Sequence, residues 1–326
     1  MDKDRKYLRL YIKDYTFVNS EELYNRQIYR ILRNMPQIKT TKLYAIVRTK
    51  SIIFDKKTFI IDKDYIVSCN IIVNNKAHNI KFDLLKIYYN QFGQKFDTFE
   101  EFKNNLEYIV LNKIDFADNV SISKDNLYQQ ISLYPNQQND KNLIFICPFY
   151  YVICGKETTS TLNVYMILNL LNIDFVNNLE IIYIGKSMKD TMKRLRNHNK
   201  WGEVLRLDKQ SKENYDYLIY VFNLDKADTY INHIDEKNVF ILNINSEMDL
   251  ETVVKNLEIA FISYYRPLLN EKHINTNFTK TKFVTQKLIN LGYTHLTIEM
   301  NFGEENIMGK IKTPNVNTTV EIDITL

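Results

Sequence analysis

Ile182-Tyr183-Ile184-Gly185-Lys186-Ser187, running on to Arg194 and His198, is the stretch around which the chain is organised. It reads as a short apolar strand that breaks at Gly185. A helix then starts near Asp190 and turns Met192 and Leu195 inward. Arg194 and His198 stand four residues apart, a spacing that places them one above the other on a single helical face. Tyrosine at a strand end, lysine in the turn, and a guanidinium with an imidazole on the next helix point to a site that handles phosphate. Each residue alone reads equally well as a strand-edge aromatic or a solvated helix residue, so order and spacing must carry the inference.

Outward from that stretch, the totals set bounds. A chain of 326 residues with 45% hydrophobic and 25% charged content is built like an ordinary globular protein, long enough for two domains and a small appendage. Ile, Asn, Lys and Tyr are heavily used, against 7 Gly and 5 Pro, so richness in Lys or Tyr carries little weight. The net charge of +4 is uneven: residues 1–60 hold 14 Lys/Arg against 6 Asp/Glu, and the remainder is net acidic. Basic excess at one end is the footprint expected for nucleic-acid contact, or simply a solvated basic surface. Cys69, Cys147 and Cys154 form no CxxC pair and lie near no cluster of histidines, so neither zinc nor a disulfide framework is expected. The first residues lack the apolar core of a signal peptide and no run of about 18 apolar residues occurs, which predicts a cytoplasmic chain without a membrane span.

Before the central stretch, residues 5–17 read as a strand, and Asn19 with Glu22 makes a capping-box start for a helix to about Asn34. Strands follow at Lys42–Thr49, Ser51–Phe54, Thr58–Ile61 and Tyr65–Val73, with Asn74-Asn75 turning into a further strand. Thr98 and Glu101 open another helix. Residues 1–112 therefore read as an α+β domain of unknown role, a target-recognition module being one use for it. The polar run of residues 113–142, ending in Tyr134-Pro135-Asn136, reads as a linker. Asn163–Asn169 and Glu180–Gly185 read as strands of a small antiparallel sheet flanked by helices in a domain of residues 143–272. Residues 273–326 form a C-terminal extension. Ser246 and Asp249 begin a helix that stops at Pro267, and Glu258 sits at the edge of its apolar stripe. An ionised carboxylate so near a core costs several kcal/mol without a partner, which a metal or an arginine would offset.

The ordered set resembles the GIY-YIG nuclease superfamily over about residues 160–272. Tyr183-Ile184-Gly185 is the YIG half. Asn163-Val164-Tyr165-Met166-Ile167-Leu168-Asn169 keeps the Tyr-x-Ile-x-Asn shape of the other half without its glycine. Tyr150, in Cys147-Pro148-Phe149-Tyr150-Tyr151, is the alternative first tyrosine. Arg194-x-x-x-His198 matches the first helix of the family. Glu258 with Tyr265-Arg266-Pro267-Leu268-Leu269-Asn270 matches its later helix and Pro-x-x-Asn ending.

The resemblance implies hydrolysis of DNA phosphodiester bonds at one divalent metal, Mg²⁺ or Mn²⁺, held by Glu258. Arg194 is then expected to stabilise charge on the phosphate, Tyr165 to act as base or orient water, and Tyr183 and His198 to orient or relay protons. Lys186 and Asn270 are supporting residues, the second holding the local fold. A phenol can serve as base only where neighbouring cations lower its pKa. Two other readings stand beside the endonuclease: a non-catalytic nucleic-acid-binding protein on the same fold, and a protein-interaction module whose later domain is a remnant.

Overall fold

The computed structural model describes residues 5–62, 64–92, 97–103, 132–146, 159–171, 173, 179–211, 213–235, 238–245, 248–272, 282–301 and 319–325. The chain is mixed α and β, and it forms two compact units that cross the expected boundaries. One unit is residues 1–50 together with 176–326; the other is residues 51–175. Neither the expected division at residue 112 nor that at residue 142 coincides with these limits.

In chain order, β1 (Arg5–Asn19) ends in the expected capping box. The Asn19 side chain accepts from the Glu21 amide at 3.0 Å, and the Glu22 carboxylate accepts from the Asn19 amide at 3.2 Å. The box opens only a 3₁₀ turn over Ser20–Leu23, and helix α1 proper is Arg26–Asn34. Pro36, which fits a first helical turn because it has no amide to leave unpaired, starts the short α2 (Pro36–Thr40). Strand β2 (Leu43–Lys50) then leads to the second unit.

That unit contains β3 (Ile52–Ile61), β4 (Ile66–Val73) and β5 (Lys76–Asp83) as an antiparallel sheet, followed by α3 (Leu84–Phe92). Asn74 and Asn75 both take positive φ, 51° and 62°, as a two-residue hairpin turn that follows the strand twist requires. A second sheet joins β6 (Ser132–Pro135), β7 (Asn142–Ile146) and β8 (Thr159–Asn163), and α4 (Val164–Leu170) follows. Part of the expected linker is therefore strand. Pro135 is accommodated because β6 lies at the edge of its sheet, where a missing amide costs no ladder bond. The expected strand Asn163–Asn169 is mostly helix. Asn163 caps it by accepting from the Tyr165 amide at 3.0 Å, and Val164, Tyr165, Ile167 and Leu168 are all buried. A short continuous apolar run has no period that separates strand from helix, which is why this segment misled. Tyr165 is fully buried here, its hydroxyl accepting from the Ile52 amide at 3.2 Å.

The first unit resumes with β9 (Glu180–Lys186), α5 (Thr191–Arg196), α6 (Trp201–Gln210), β10 (Tyr215–Asp235), β11 (Asn238–Asn245) and α7 (Leu250–Tyr265). It ends in α8 (Lys282–Asn290), β12 (His295–Asn301) and β13 (Thr319–Thr325). Its strands form one sheet in the order β13-β12-β1-β10-β2-β9, with β11 also on β10. Only the β1–β12 pair is parallel. β10 is long because β1 lines one side of it from Leu218 to Asn232, while β2 and then β11 share the other. Val18, Leu23, Ile38, Tyr44, Met192, Leu195, Ile219 and Val221 close into a buried cluster that seats α5 on the sheet. Burial of each large apolar side chain contributes about 1.5–3 kcal/mol.

β9 ends the sheet order, and its outer edge is covered by the turn that follows α7. Arg266 stops that helix in the left-handed region, φ 49°. The Leu269 amide then donates to the Ile182 carbonyl at 2.8 Å. The Asn270 side chain accepts from the Ile184 amide and donates to the Ile184 carbonyl, both at 2.9 Å. One buried carboxamide thus replaces a residue of a neighbouring strand and satisfies backbone groups that an open edge would leave unpaired. No helix among the described residues is long and apolar enough to cross a membrane.

Tyr165→Phe leaves the Ile52 amide short of its buried acceptor, and we expect a loss of about 1–3 kcal/mol in chemical denaturation. An unchanged unfolding midpoint would count against a structural role for this hydroxyl.

Candidate active site

The site begins with a strand register. β2 and β9 pair antiparallel with Tyr44 opposite Gly185 and Ile46 opposite Tyr183. Residues two apart on one strand, and those directly opposite, share a face, so the Tyr44 ring meets both Tyr183 and the bare backbone of Gly185. A Cβ at Gly185 would stand 2.7 Å from the Tyr44 hydroxyl oxygen and 2.8 Å from Tyr183 Cε1. Gly185 is therefore not the strand break read from the sequence. β9 runs on to Lys186, and the glycine is there for close approach, its φ lying outside the left-handed region.

Around this crossing stand three charged side chains. Arg194, exposed on α5, acts by its charge on both phenols, and the Tyr44 and Tyr183 rings lie 6.3 Å apart between centroids, tilted by 34°. Glu258, on α7, is held by Lys186 at the end of β9, with Nζ 3.1 Å from a carboxylate oxygen. Its charge acts on both tyrosines. Burial raises the Tyr44 phenol well above its usual range, helped by Tyr183 and Glu258 and opposed by Arg194. Tyr183 is also raised, first by burial and then by Glu258. In the resting site both phenols are held protonated.

His198 lies off the helix that the spacing predicts for it. α5 ends at Arg196, Asn197 leaves helical geometry, and the imidazole turns inward to 4% exposure while Arg194 stays outside. It meets Tyr183 edge-on at 4.7 Å and Tyr44 at 5.9 Å between ring centroids. Its Nδ1 accepts from the Lys200 amide at 3.1 Å, so the neutral ring carries its proton on Nε2. That nitrogen is buried without a hydrogen-bond partner. Burial, with Arg194 and Lys200 adding like charge, depresses the pKa from 6.5 to about 4. The Trp201 indole closes the turn by donating to the Leu195 carbonyl at 2.7 Å, one of the orphan acceptors at the end of α5.

Tyr183, Lys186, Arg194, His198 and Glu258 are thus brought together, with Asn270 behind them on the far edge of β9. Tyr165 is not among them; its hydroxyl is engaged within the unit of residues 51–175. Tyr150 lies outside the described residues. The residue missed from the sequence is Tyr44. Leu43-Tyr44-Ala45-Ile46 carries the same Tyr-x-Ile shape sought at Tyr165, but it stands more than a hundred residues before Tyr183, far beyond any hairpin.

Among the described residues no three His, Cys, Asp or Glu side chains gather as a metal cage. The donor set at Glu258 is one half-buried carboxylate beside open solvent. This fits a hard cation that keeps its waters and takes a substrate oxygen, as Mg²⁺ does, rather than zinc or calcium in an all-protein cage. Compared with protein-family models, curated proteins and solved structures, the chain gives no match.

Gly185→Ala should push the Tyr44 ring out of place and cost about 1–3 kcal/mol of stability, as overpacking does; near-ultraviolet circular dichroism would report the moved tyrosine. His198 supplies a pH test. Between pH 6.5 and about 4 the unfolded chain takes up a proton that the folded chain refuses, so stability falls as pH is lowered through that window. By pH 5 the loss from this group reaches about 2 kcal/mol. Denaturation of His198→Gln at pH 7 and pH 5 should lack that component.

Proposed function

We propose that the unit of residues 1–50 and 176–326 is a metal-dependent endonuclease of GIY-YIG type, hydrolysing phosphodiester bonds of DNA. The observation that carries this reading is the meeting of four side chains from four separate elements. They are Tyr44 from β2, Tyr183 from β9, Arg194 from α5 and Glu258 from α7. A purely structural cluster would not gather one buried and one half-buried phenol with an exposed guanidinium and a half-buried carboxylate. The strand order β9-β2-β10, with both motif tyrosines on neighbouring strands, supports it as well.

In such a reaction the oxygen of water bonds to phosphorus as the bond to the leaving oxygen breaks. Mg²⁺ or Mn²⁺, when bound, supplies Lewis acidity toward the phosphate. Glu258 is the residue that would hold it, and Lys186 pairs with that carboxylate in its absence. Arg194 projects into solvent, where its planar guanidinium can take two phosphate oxygens and offset the charge that grows on them. On this reading Tyr44, whose side chain is fully buried in the chain as it stands, is the group that orients the attacking water. It becomes a base only when positive charge gathered beside it outweighs its burial, the direction in which Arg194 already acts. Tyr183 packs beside the Tyr44 ring. His198, neutral above about pH 4, packs both rings and holds no charge near the phosphate.

A second reading, nucleic-acid binding without catalysis, is favoured by the Lys186–Glu258 ion pair and by the raised phenols. Incubation of supercoiled plasmid with the purified chain and Mg²⁺ or Mn²⁺ separates the two. The nuclease reading expects nicking that Glu258→Ala abolishes and that Arg194→Ala lowers by about 10²–10³-fold. Tyr44→Phe should lower it too, while Tyr165→Phe should cleave like wild type. Cleavage by Glu258→Ala and Arg194→Ala at wild-type rates sinks the site, and binding without cleavage selects the second reading.

A further inference from the structure

A cleft of about 740 Å³ opens beside α5, and its walls are basic. α1 and α2 contribute Arg26, Arg30, Arg33 and Lys39, and the start and end of the α5 region contribute Lys189 and Arg196. Asp190 is the one acidic residue in this lining, and it is engaged twice, with Arg33 at 2.7 Å and with the Lys193 amide as the N-cap of α5. Tyr29 lies on the floor with the Arg196 guanidinium 4.9 Å from its ring centre.

From these residues we propose that the cleft binds the phosphate backbone of the polynucleotide, leading it past α5 to Arg194. The proposal rests on the nuclease reading for its choice of DNA as the polyanion. Its physical basis is independent. Arg26, Arg30 and Arg33 follow one another at i, i+4 and i+7, which lines them along one face of α1, where like charges repel and weaken a helix. Arg26 also stands at the N-terminus of α1, which has no acidic residue in its first turn, although the helix dipole favours anions there. The helix dipole and Asp190 account for Arg33 in the last turn, but no gain within the helix accounts for Arg26 and Arg30; a bound polyanion does. The three arginines are rooted along roughly 10 Å of helix, a span that suits successive phosphates of a strand better than a single small anion. The same short helix carries Arg196 into the cleft and Arg194 toward the tyrosines, so one backbone can engage both.

Fluorescence anisotropy of the full chain with a labelled oligonucleotide of about 30 residues, duplex or single-stranded, in EDTA to prevent cleavage, tests the cleft. Each phosphate contact contributes about 0.9 to the slope of log affinity against log salt on duplex and about 0.7 on a single strand. Arg26→Ala with Arg30→Ala, and separately Lys189→Ala with Arg196→Ala, should each weaken binding on the order of ten-fold and flatten the duplex slope by about 1.8. Lys76→Ala with Lys81→Ala, an equal loss of exposed charge on β5, should leave both unchanged. The stronger of the two arms tells whether the cleft takes duplex or single strand. Wild-type binding by both cleft pairs, an equal loss in the Lys76/Lys81 control, or displacement of the oligonucleotide by micromolar pyrophosphate would overturn the proposal. Cleavage with cleft-independent binding refutes the cleft alone, whereas cleft-dependent binding without metal-dependent nicking keeps the cleft and refutes the nuclease.

Discussion

The crossing of the Tyr44 ring over Gly185 is the contact on which the rest of the site depends. It requires a residue without a Cβ on β9, a tyrosine directly opposite on β2, and a register held to within one residue. A slip by one would send Tyr44 to the other face of the sheet and away from Tyr183, Arg194 and His198. The register is held from both sides of the strand pair. The Ser187 amide donates to the Lys42 carbonyl at 2.9 Å, and the Thr191 hydroxyl donates to the Thr41 carbonyl at 2.7 Å, tying the start of α5 to the start of β2. On the outer edge, Asn270 grips both backbone groups of Ile184. These bonds are buried or nearly so, where leaving one unmade costs about 1–3 kcal/mol.

The charges are arranged around this rigid centre with different freedoms. Lys186 and Glu258 form a pair at the strand end, half sheltered, while Arg194 remains exposed on a helix of one and a half turns. The exposed guanidinium can follow a ligand, and the tyrosines beneath it cannot move. His198 shows the cost of that rigidity. Packed against two phenols and close to two cations, it stays neutral far below the usual histidine range, so it serves as an aromatic wedge.

Much of this was legible in the sequence. Tyr183-Ile184-Gly185, the Asp190 cap, Met192 and Leu195 turned inward, and the helix carrying Glu258 and ending before Pro267 all follow from local signals. Asn270 as a fold-holding residue was legible as well, although the strand edge it serves was not. Three readings failed for definable reasons. The helix after Asp190 was extended to His198, because residue spacing carries no information about where Asn197 leaves helical geometry. Asn163–Asn169 reads as strand because an unbroken apolar run has no period, whereas Val164–Leu170 is helix. Tyr165 was taken as the first tyrosine, because a hairpin partner was sought within hairpin distance.

By itself, then, the sequence determined the elements whose causes lie within about one helical turn of each residue: caps, the paired-asparagine turn, apolar stripes, the glycine at the strand end. Only the tertiary structure decided that Tyr44, not Tyr165, faces Tyr183, and that the unit of residues 51–175 stands in the chain between the two paired strands. The physical reason is that strand pairing is blind to separation along the chain. The entropy of closing a loop grows only with the logarithm of its length, each doubling costing about 0.6 kcal/mol, so a long insertion between β2 and β9 leaves their pairing nearly as favourable as in a short hairpin. The backbone bonds and the Tyr44–Gly185 contact are the same in either case, and nothing in the residues of β2 alone announces a partner more than a hundred positions away.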